Sequence, residues 1–140
     1  MCSAGPPEML RPFRLMIVDD NPADLYLAEA AILNRDLPCN LHLMPSATAA
    51  LNQLAEGNPL PDLMLVDVNM PGMNGLDLLE QVKADPALQH LRVVMFTTSA
   101  NERDQQRARD HRADGYVVKS QTFTGFQAQL ETLLYRHAAG

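Results

Sequence analysis

The sequence predicts an α/β fold in which a doubly wound, parallel five-stranded sheet carries helices on both faces. Two observations predict it: five short apolar runs, and segments with helical periodicity between them. Short bounded apolar runs suit strands that are buried on both faces. Because strand and helix alternate five times, right-handed crossovers between parallel strands are expected. The five runs are "RLMIV" (14–18), "LHLM" (41–44), "DLMLV" (62–66), "RVVMF" (92–96) and "GYVV" (115–118).

Length and composition indicate a single globular domain. The chain has 140 residues, of which 46% are hydrophobic, and this is enough for one core. We assign the domain to residues 13–140 and regard residues 1–12 as a flexible N-terminal arm. The formal net charge of −6 argues against nucleic-acid binding, which needs a basic surface.

Cysteine usage and hydropathy restrict the compartment. Cys2 and Cys39 stand far apart and neither belongs to a Cys-x-x-Cys pair, so neither a disulfide framework nor a zinc site is expected. The N-terminus lacks the apolar stretch of a signal peptide, and nowhere do about eighteen apolar residues run together. We therefore expect a cytoplasmic protein without membrane contact.

Capping residues set the predicted helix boundaries. Asn21 precedes Pro22, so Asn21 is expected to cap the first helix and Pro22 to occupy its first position. Ser46 is the predicted cap of the second helix, and Asp85 followed by Pro86 ends the third. Apolar residues recur at helical spacing in the first and last helices. They are Leu25, Ala28 and Ile32 in the first, and Phe126, Leu130, Leu133 and Leu134 in the last.

The predicted fourth helix, "NERDQQRARDHR" (101–112), is polar almost throughout. Ala108 is nearly its only apolar residue, and its four arginines outnumber its three acidic residues. Two interpretations stay open at this point. The segment is either a solvated helix or a docking face for a partner.

Polar residues stand at the ends of four of the five predicted strands. Asp19 and Asp20 follow the first strand, Asp67 the third, Thr97 ends the fourth, and Lys119 follows the fifth. In doubly wound sheets the ligand site lies at the carboxyl ends of the strands. We therefore expect these five side chains to converge at one edge of the sheet.

Three converging carboxylates need a compensating cation. Two unit charges about 4 Å apart repel by roughly 4 kcal/mol at an effective dielectric near 20. Oxygen ligands at a partly open site favour Mg²⁺, which prefers one or two carboxylates together with phosphate oxygens. With Lys119 supplying further positive charge, Asp67 becomes a candidate acceptor of a phosphoryl group.

Four stretches of the chain resemble the signature motifs of the receiver domain of two-component response regulators, in particular the chemotaxis-regulator type. The resemblance covers about residues 13–137. The separations of 47, 30 and 22 residues between Asp20, Asp67, Thr97 and Lys119 are typical of that family. The four stretches are "IVDDN" (17–21), "LVDVNMPGMNG" (65–75), "MFTTSA" (95–100) and "GYVVKS" (115–120).

The resemblance implies a flavodoxin-like sheet of strand order 2-1-3-4-5 with five helices. It implies that Asp67 is the phosphoacceptor, taking the phosphoryl group from a phosphohistidine of a sensor histidine kinase. It further implies that Asp20 binds Mg²⁺ directly, that Asp19 does so mainly through water, and that the backbone carbonyl of Asn69 completes the protein ligands. A protein of this kind catalyses only its own phosphorylation and slow dephosphorylation.

Three further residues take roles from the resemblance. Lys119 would neutralise charge on the phosphoryl group, and Thr97 would donate a hydrogen bond to it. Tyr116 would then follow Thr97 inward and signal the change to the face formed by the fourth helix, fifth strand and fifth helix. The alternative for Tyr116 is a half-buried strand aromatic without a switching role.

Two positions depart from the family pattern. Ser120 follows Lys119 where the family has proline after a cis bond, which leaves open whether the Lys119-Ser120 bond is cis or trans. Thr98 stands where many members have Ala or Gly. A branched side chain there is expected to hinder attack by water and lengthen the phosphorylated lifetime.

Output is expected to pass through protein contact, because the chain ends just after the fifth helix. "DNPAD" (20–24) and "TTS" (97–99) resemble single-domain regulators that partner phytochrome-type photosensor kinases, the bacteriophytochromes. Such regulators often pair through the face between the fourth and fifth helices, so a homodimer is expected there.

Other functions remain open from the sequence. The chain is alternatively a phosphate sink that drains a kinase, or a binding module that works without phosphorylation. A more remote alternative is a phosphatase of the haloacid dehalogenase type, which also forms an aspartyl phosphate. That family requires a second Asp two residues after the nucleophile, and Asn69 stands there instead.

Overall fold

The computed structural model describes residues 12–34 and 39–139. The predicted arm of residues 1–12 therefore lies outside the described residues, except for Pro12. Five strands and five helices alternate along the described chain. They are β1 (Phe13–Val18), α1 (Pro22–Asn34), β2 (Cys39–Met44), α2 (Ala47–Ala55), β3 (Leu63–Val66), α3 (Gly75–Ala84), β4 (Arg92–Thr97), α4 (Glu102–Asp110), β5 (Gly115–Val118) and α5 (Phe123–Ala139).

The five strands form one parallel sheet in the order β2-β1-β3-β4-β5, which confirms the predicted order. The central strand β3 is buried along its whole length. Val18 of β1 pairs with Val66 of β3, and Val66 pairs with Met95 of β4. The carboxyl ends of these three strands therefore lie level with one another at one edge of the sheet.

Helices cover both faces of this sheet. Met64 and Val66 of β3 pack in one core cluster with residues of α2, α3 and α4. The alternate residues, Leu63 and Leu65, pack in a second cluster with residues of α1 and α5. Since successive residues of a strand point to opposite faces, both sets are apolar and the run reads as continuously hydrophobic. The polar edge thus continues from central strands, β3 and β4, that are buried on both faces.

The helix caps follow the capping prediction. The Asn21 side chain accepts a hydrogen bond from the Ala23 N–H at 3.0 Å, and Ser46 accepts one from Ala49 at 3.0 Å. These contacts satisfy backbone donors that the first turn of a helix leaves unpaired. Asn74 forms a complete capping box at the start of α3. The entry points of α1, α2 and α3 are therefore fixed by local chemistry.

The fourth helix is shorter than predicted. The pattern predicted residues 101–112, whereas α4 spans Glu102–Asp110. Asn101 lies before the helix as its cap and accepts a hydrogen bond from the Arg103 N–H at 2.7 Å. Arg112 has a φ of 64°, a left-handed conformation that a right-handed helix does not contain. The polar composition concealed both ends, because no apolar periodicity marks them.

β1 and β2 begin earlier than the apolar runs indicated. Phe13 pairs with Cys39 and Arg14 with Asn40, so the ladder includes residues that the hydropathy pattern left out. β2 is an edge strand and is only partly buried, which allows polar residues such as Asn40 within it. Among the described residues, no helix combines the length and apolar character that crossing a membrane requires.

Candidate functional site

Three carboxylates meet at the carboxyl edge of the sheet. One side-chain oxygen from each of Asp19, Asp20 and Asp67 lies within 4.8 Å of the others. Asp19 and Asp67 are buried, with 2% and 8% of their surfaces exposed, whereas Asp20 is open to solvent. The cluster therefore combines two desolvated carboxylates with one that faces water.

Backbone contacts hold the two buried aspartates at the strand ends. The Asp19 N–H donates to the Met44 carbonyl at 3.0 Å, and the Asp67 N–H donates to the Val18 carbonyl at 3.0 Å. Each bond continues the parallel pairing one residue past the strands, so these backbones are as fixed as the sheet itself. Neither carboxylate depends on a flexible loop for its position.

The loop after β3 brings the start of α3 against Asp67. A Cβ atom at Gly75 would lie 1.9 Å from the Asp67 carbonyl oxygen, a distance that no side chain tolerates. The Gly75 N–H donates to the Val68 carbonyl at 3.0 Å and closes this turn. Glycine is needed here because two backbone segments approach each other.

Lys119, the residue after β5, reaches into the acidic cluster. Its Nζ donates to Asp19 at 2.5 Å and to Asp24 at 2.8 Å, and lies 3.8 Å from an oxygen of Asp67. The ammonium also lies 5.7 Å from the centre of the Phe96 ring, within the range of a cation–π contact. The buried ammonium of Lys119 thus lies within 4 Å of three carboxylates, those of Asp19, Asp24 and Asp67.

The electrostatic balance of the cluster is uneven. Burial raises the pKa of Asp19 to about 6, even though hydrogen bonds from Lys119 and the Asn21 N–H favour its charged form. For Lys119, burial disfavours the charge, but hydrogen bonds with Asp19 and Asp24 outweigh it and the pKa is raised. Lys119 therefore stays charged, and the carboxylates remain short of positive charge.

This donor set fits a hard divalent cation. Three carboxylates with a single ammonium supply oxygen ligands and an excess of negative charge, and Asp20 leaves the cluster open to water. Such sites suit cations that take oxygen ligands and keep part of their hydration shell. Asn69, the predicted carbonyl ligand, lies at the exposed rim, and its N–H contacts Asp67 Oδ1 at 3.4 Å.

Thr97 and Tyr116 both contact Ser99. Thr97 is fully buried, and its hydroxyl oxygen accepts a hydrogen bond from the Ser99 N–H at 3.2 Å. The half-buried Tyr116 donates its hydroxyl to the Ser99 carbonyl at 2.8 Å. Ser99 Oγ in turn donates to Asp104 in the first turn of α4 at 2.7 Å. Ser99 therefore joins the two predicted switch residues to α4.

The structure also decides the open backbone question. Among the described residues no peptide bond is cis, so the Lys119-Ser120 bond is trans. Thr98, the other departure from the family pattern, is exposed to solvent beside the buried Thr97.

Sequence reasoning missed Asp24 and Ser99. Asp24 lies in the first turn of α1, where an acidic residue is expected for helix electrostatics alone. Its contact with Lys119 joins α1 to the loop after β5. Its place in the quoted stretch "DNPAD" was the available signal. Ser99 belonged to a quoted motif, but its contacts depend on the loop conformation.

α4 is neither free of contacts nor entirely solvated. Arg107 donates to Asp77 at 2.8 Å and to Glu80 at 2.9 Å, both on α3, and Ala108 is buried in the core. These contacts attach one side of the helix to α3. Its remaining arginines Arg103 and Arg109 are exposed.

The chain belongs to the response regulator receiver domain family. The family's pattern matches residues 15–131, which is most of the chain. The chain is 36% identical over 124 residues to the chemotaxis protein CheY of Pseudomonas aeruginosa, covering 88% of this chain and 97% of that protein. The resemblance inferred from the four motifs is thereby confirmed, and the haloacid dehalogenase alternative is left without support.

Solved structures of response regulators share the fold. The phosphorylated cyanobacterial phytochrome response regulator RcpA superposes with a TM-score of 0.83 at 28% identity, over 91% of this chain and 95% of that one. The Mn²⁺-bound form of response regulator Rcp1 gives a TM-score of 0.78 at 27% identity, over 88% and 92%. The predicted likeness to phytochrome response regulators is therefore present in both sequence and fold.

Proposed function

We propose that this protein accepts a phosphoryl group on Asp67 from the phosphohistidine of a sensor histidine kinase, and signals through protein contact. The observation that carries the proposal is the arrangement around Asp67. Its carboxylate lies in a cluster with Asp19 and Asp20, and the Lys119 ammonium is 3.8 Å away. Receiver family membership supports the same chemistry.

The reaction needs one bond to form and one to break. A carboxylate oxygen of Asp67 bonds to phosphorus while the phosphorus–nitrogen bond of the phosphohistidine breaks, and the imidazole leaves with the electron pair. Negative charge spreads over the phosphoryl oxygens in the transition state. Lys119, already charged and close to Asp67, stabilises that charge without reorganising.

Mg²⁺ is the proposed cofactor. Asp67 and Asp20 would hold it with the Asn69 carbonyl, and Asp19 would act mainly through water. When bound, the ion would supply positive charge that neutralises the negative charge of the phosphoryl group during transfer. The acidic donor set supports this, as does the Mn²⁺-bound form of the relative Rcp1.

Thr97 and Tyr116 are the proposed switch residues. A phosphoryl group adds nearly two negative charges and strong hydrogen-bond acceptors, so it would draw the Thr97 hydroxyl toward Asp67. That movement would break the hydrogen bond between the Thr97 hydroxyl and the Ser99 N–H. The carbonyl of Ser99 binds Tyr116, and its side chain binds α4. A change at Thr97 would thus reach the face formed by α4, β5 and α5.

A phytochrome-type kinase is the proposed source of the phosphoryl group. Support comes from the likeness to RcpA, described as a cyanobacterial phytochrome response regulator. The proposed output is contact with a downstream protein, or a homodimer formed through the α4 to α5 face. A phosphate sink would accept the phosphoryl group without any such change in contacts.

The first test is the intact mass after incubation with Mg²⁺ and acetyl phosphate. We expect a gain of one phosphoryl group that is absent without Mg²⁺ and absent in Asp67→Asn. A gain that persists in Asp67→Asn would overturn the assignment of Asp67. No gain from acetyl phosphate or from any phosphorylated kinase would favour the binding module instead.

The second test concerns partner and output. Phosphotransfer from a panel of autophosphorylated kinases should be fastest with a phytochrome-type kinase. Sedimentation with and without phosphorylation should then show self-association in the phosphorylated protein alone. Phosphorylation without any change in sedimentation or partner binding would favour the phosphate sink.

A further inference from the structure

The two peptide groups that flank Lys119 are both held by hydrogen bonds. On the strand side, the Lys119 N–H donates to the Thr97 carbonyl at 2.7 Å. The carbonyl of the same peptide group, that of Val118, accepts from Gln129 Nε2 at 2.8 Å. On the loop side, the Ser120 N–H donates to Gln129 Oε1 at 2.9 Å. The planes before and after the Lys119 Cα atom are therefore both fixed.

The side chain of Gln129 makes the contacts with both the Val118 carbonyl and the Ser120 N–H. Gln129 lies on α5, one carboxamide donates to the peptide before Lys119, and the same carboxamide accepts from the peptide after it. Because peptide groups are planar, fixing both planes fixes the two backbone dihedrals of Lys119. The direction in which the lysine side chain leaves the backbone is set by those dihedrals.

Ser120 is a requirement of this arrangement. A proline at this position, as the family pattern has, would lack the N–H that Gln129 accepts. Ser120 also binds the start of α5 with its side chain, since the Thr122 N–H donates to Ser120 Oγ at 3.2 Å. At Gly125 a Cβ atom would lie 2.1 Å from Ser120 Oγ, so glycine gives the serine its space. Ser120, Gly125 and Gln129 thus act as one set.

We propose that Gln129 is a positioning residue for the phosphoryl-transfer reaction, which presents Lys119 to Asp67 through the trans loop that Ser120 allows. The inference rests on the proposed function for its kinetic consequence. Its geometric part, that Gln129 fixes the backbone around Lys119, stands on the hydrogen bonds alone. Gln129 touches no reacting atom, so its whole effect passes through Lys119.

The kinetic test compares phosphorylation of Asp67 by acetyl phosphate at saturating Mg²⁺. Gln129→Leu has nearly the volume of glutamine but cannot form either hydrogen bond, and should lower the rate roughly 10- to 100-fold. Gln129→Glu keeps the acceptor for the Ser120 N–H and loses the donor to the Val118 carbonyl. Its phosphorylation rate should therefore lie between those of Gln129→Leu and the original protein. Gln121→Leu, an exposed glutamine in the same loop, is the matched control.

A double-mutant cycle separates positioning from general damage. In a Lys119→Ala background, Gln129→Leu should leave the rate unchanged, because the group that Gln129 positions is gone. The affinity for Mg²⁺, measured by calorimetry, should be the same in Gln129→Leu as in the original protein. An equal loss of rate in both backgrounds, or no loss in either, would overturn the proposal.

The geometric test needs no phosphorylation. Amide hydrogen exchange at Ser120, followed by NMR, should be slow in the original protein and at least tenfold faster in Gln129→Leu, while Val117 and neighbouring β5 amides stay unchanged. Unchanged exchange at Ser120 would refute the role of Gln129. If acetyl phosphate phosphorylates neither the original protein nor any variant, the proposed function fails. The exchange measurement still decides whether Gln129 fixes the backbone around Lys119.

Discussion

The loops after β3 and after β5 each hold a functional residue at the sheet edge, by different means. After β3, backbone packs on backbone, and Gly75 lets α3 approach the Asp67 carbonyl. After β5, a side chain holds the backbone, because Gln129 forms hydrogen bonds with the peptide groups on both sides of Lys119. The first loop tolerates no added atom at Gly75, whereas the second depends on particular hydrogen bonds. Each loop therefore fails under a different kind of substitution.

Gly75→Ala should have the largest effect, because it attacks the loop that is closed by backbone packing. The added Cβ would lie 1.9 Å from the Asp67 carbonyl oxygen, so the chain must shift. We expect the free energy of unfolding to fall by about 3 kcal/mol, with loss of phosphorylation. Urea denaturation measures it, and Gly72→Ala is the control.

Gly72 lies in the same loop at a φ of 72°, and nothing lies within 4 Å of the Cβ position there. Gly72→Ala should therefore cost only about 1 kcal/mol, from backbone strain. Equal losses at both positions would show that the close approach at Gly75 is unimportant.

Asp19→Asn should stabilise the protein at neutral pH, because Asp19 is a buried carboxylate in the cluster that Asp67 of the first loop and Lys119 of the second share. Burial raises its pKa to about 6 in the folded protein, above that of the unfolded chain. The unfolded state therefore releases the proton first, and stability is lost as pH rises from about 4 to about 6. Asn carries no such charge, so the gain at pH 7.5 should be on the order of 2 kcal/mol.

Urea unfolding at pH 4 and pH 7.5 without divalent cations measures this effect. The difference between Asp19→Asn and the original protein should grow with pH, and Glu29→Gln on the exposed side of α1 should show no such trend. A difference independent of pH would contradict the raised pKa.

Asp24→Asn should have a smaller effect, since it removes one of several partners of Lys119. Its carboxylate is 25% exposed and binds Nζ at 2.8 Å, so the loss should be about 1 kcal/mol. A thermodynamic cycle with Lys119→Ala, measured by urea unfolding, isolates the pair from helix electrostatics. Purely additive losses would indicate that Asp24 acts only on the helix.

Thr98→Ala should have the smallest effect, visible in a rate alone. Thr98 belongs to neither loop and is exposed beside the buried Thr97, where its branched side chain is expected to hinder attacking water. Spontaneous dephosphorylation should be a few-fold faster in Thr98→Ala, with unchanged stability, as for surface substitutions generally. An unchanged rate would remove this interpretation, and Thr98→Val tests whether bulk or the hydroxyl matters.

The sequence predicted the sheet and the strand-end residues because their signals are local. Buried runs, a cap such as Asn21 and a carboxylate after a strand are each visible within a few residues. The contacts of Asp24 and Gln129 are not, since they arise where α1 and α5 meet the end of β5 and the loop after it. The ends of α4 were missed for a related reason, because a polar helix has no periodicity to mark them. Departure from a motif at Ser120 was the clue that the loop needed another support.

The hydrogen bond between Tyr116 and Ser99 allows the loop before α4 to be followed by near-ultraviolet spectroscopy of Tyr116. The chain has three tyrosines and no tryptophan, and the other two tyrosines are largely exposed, at 69% for Tyr26 and 62% for Tyr135. Tyr116 alone lies half-buried with its hydroxyl bound to the loop before α4. Any rearrangement of that loop will therefore alter the near-ultraviolet spectrum through a single ring, without an added label.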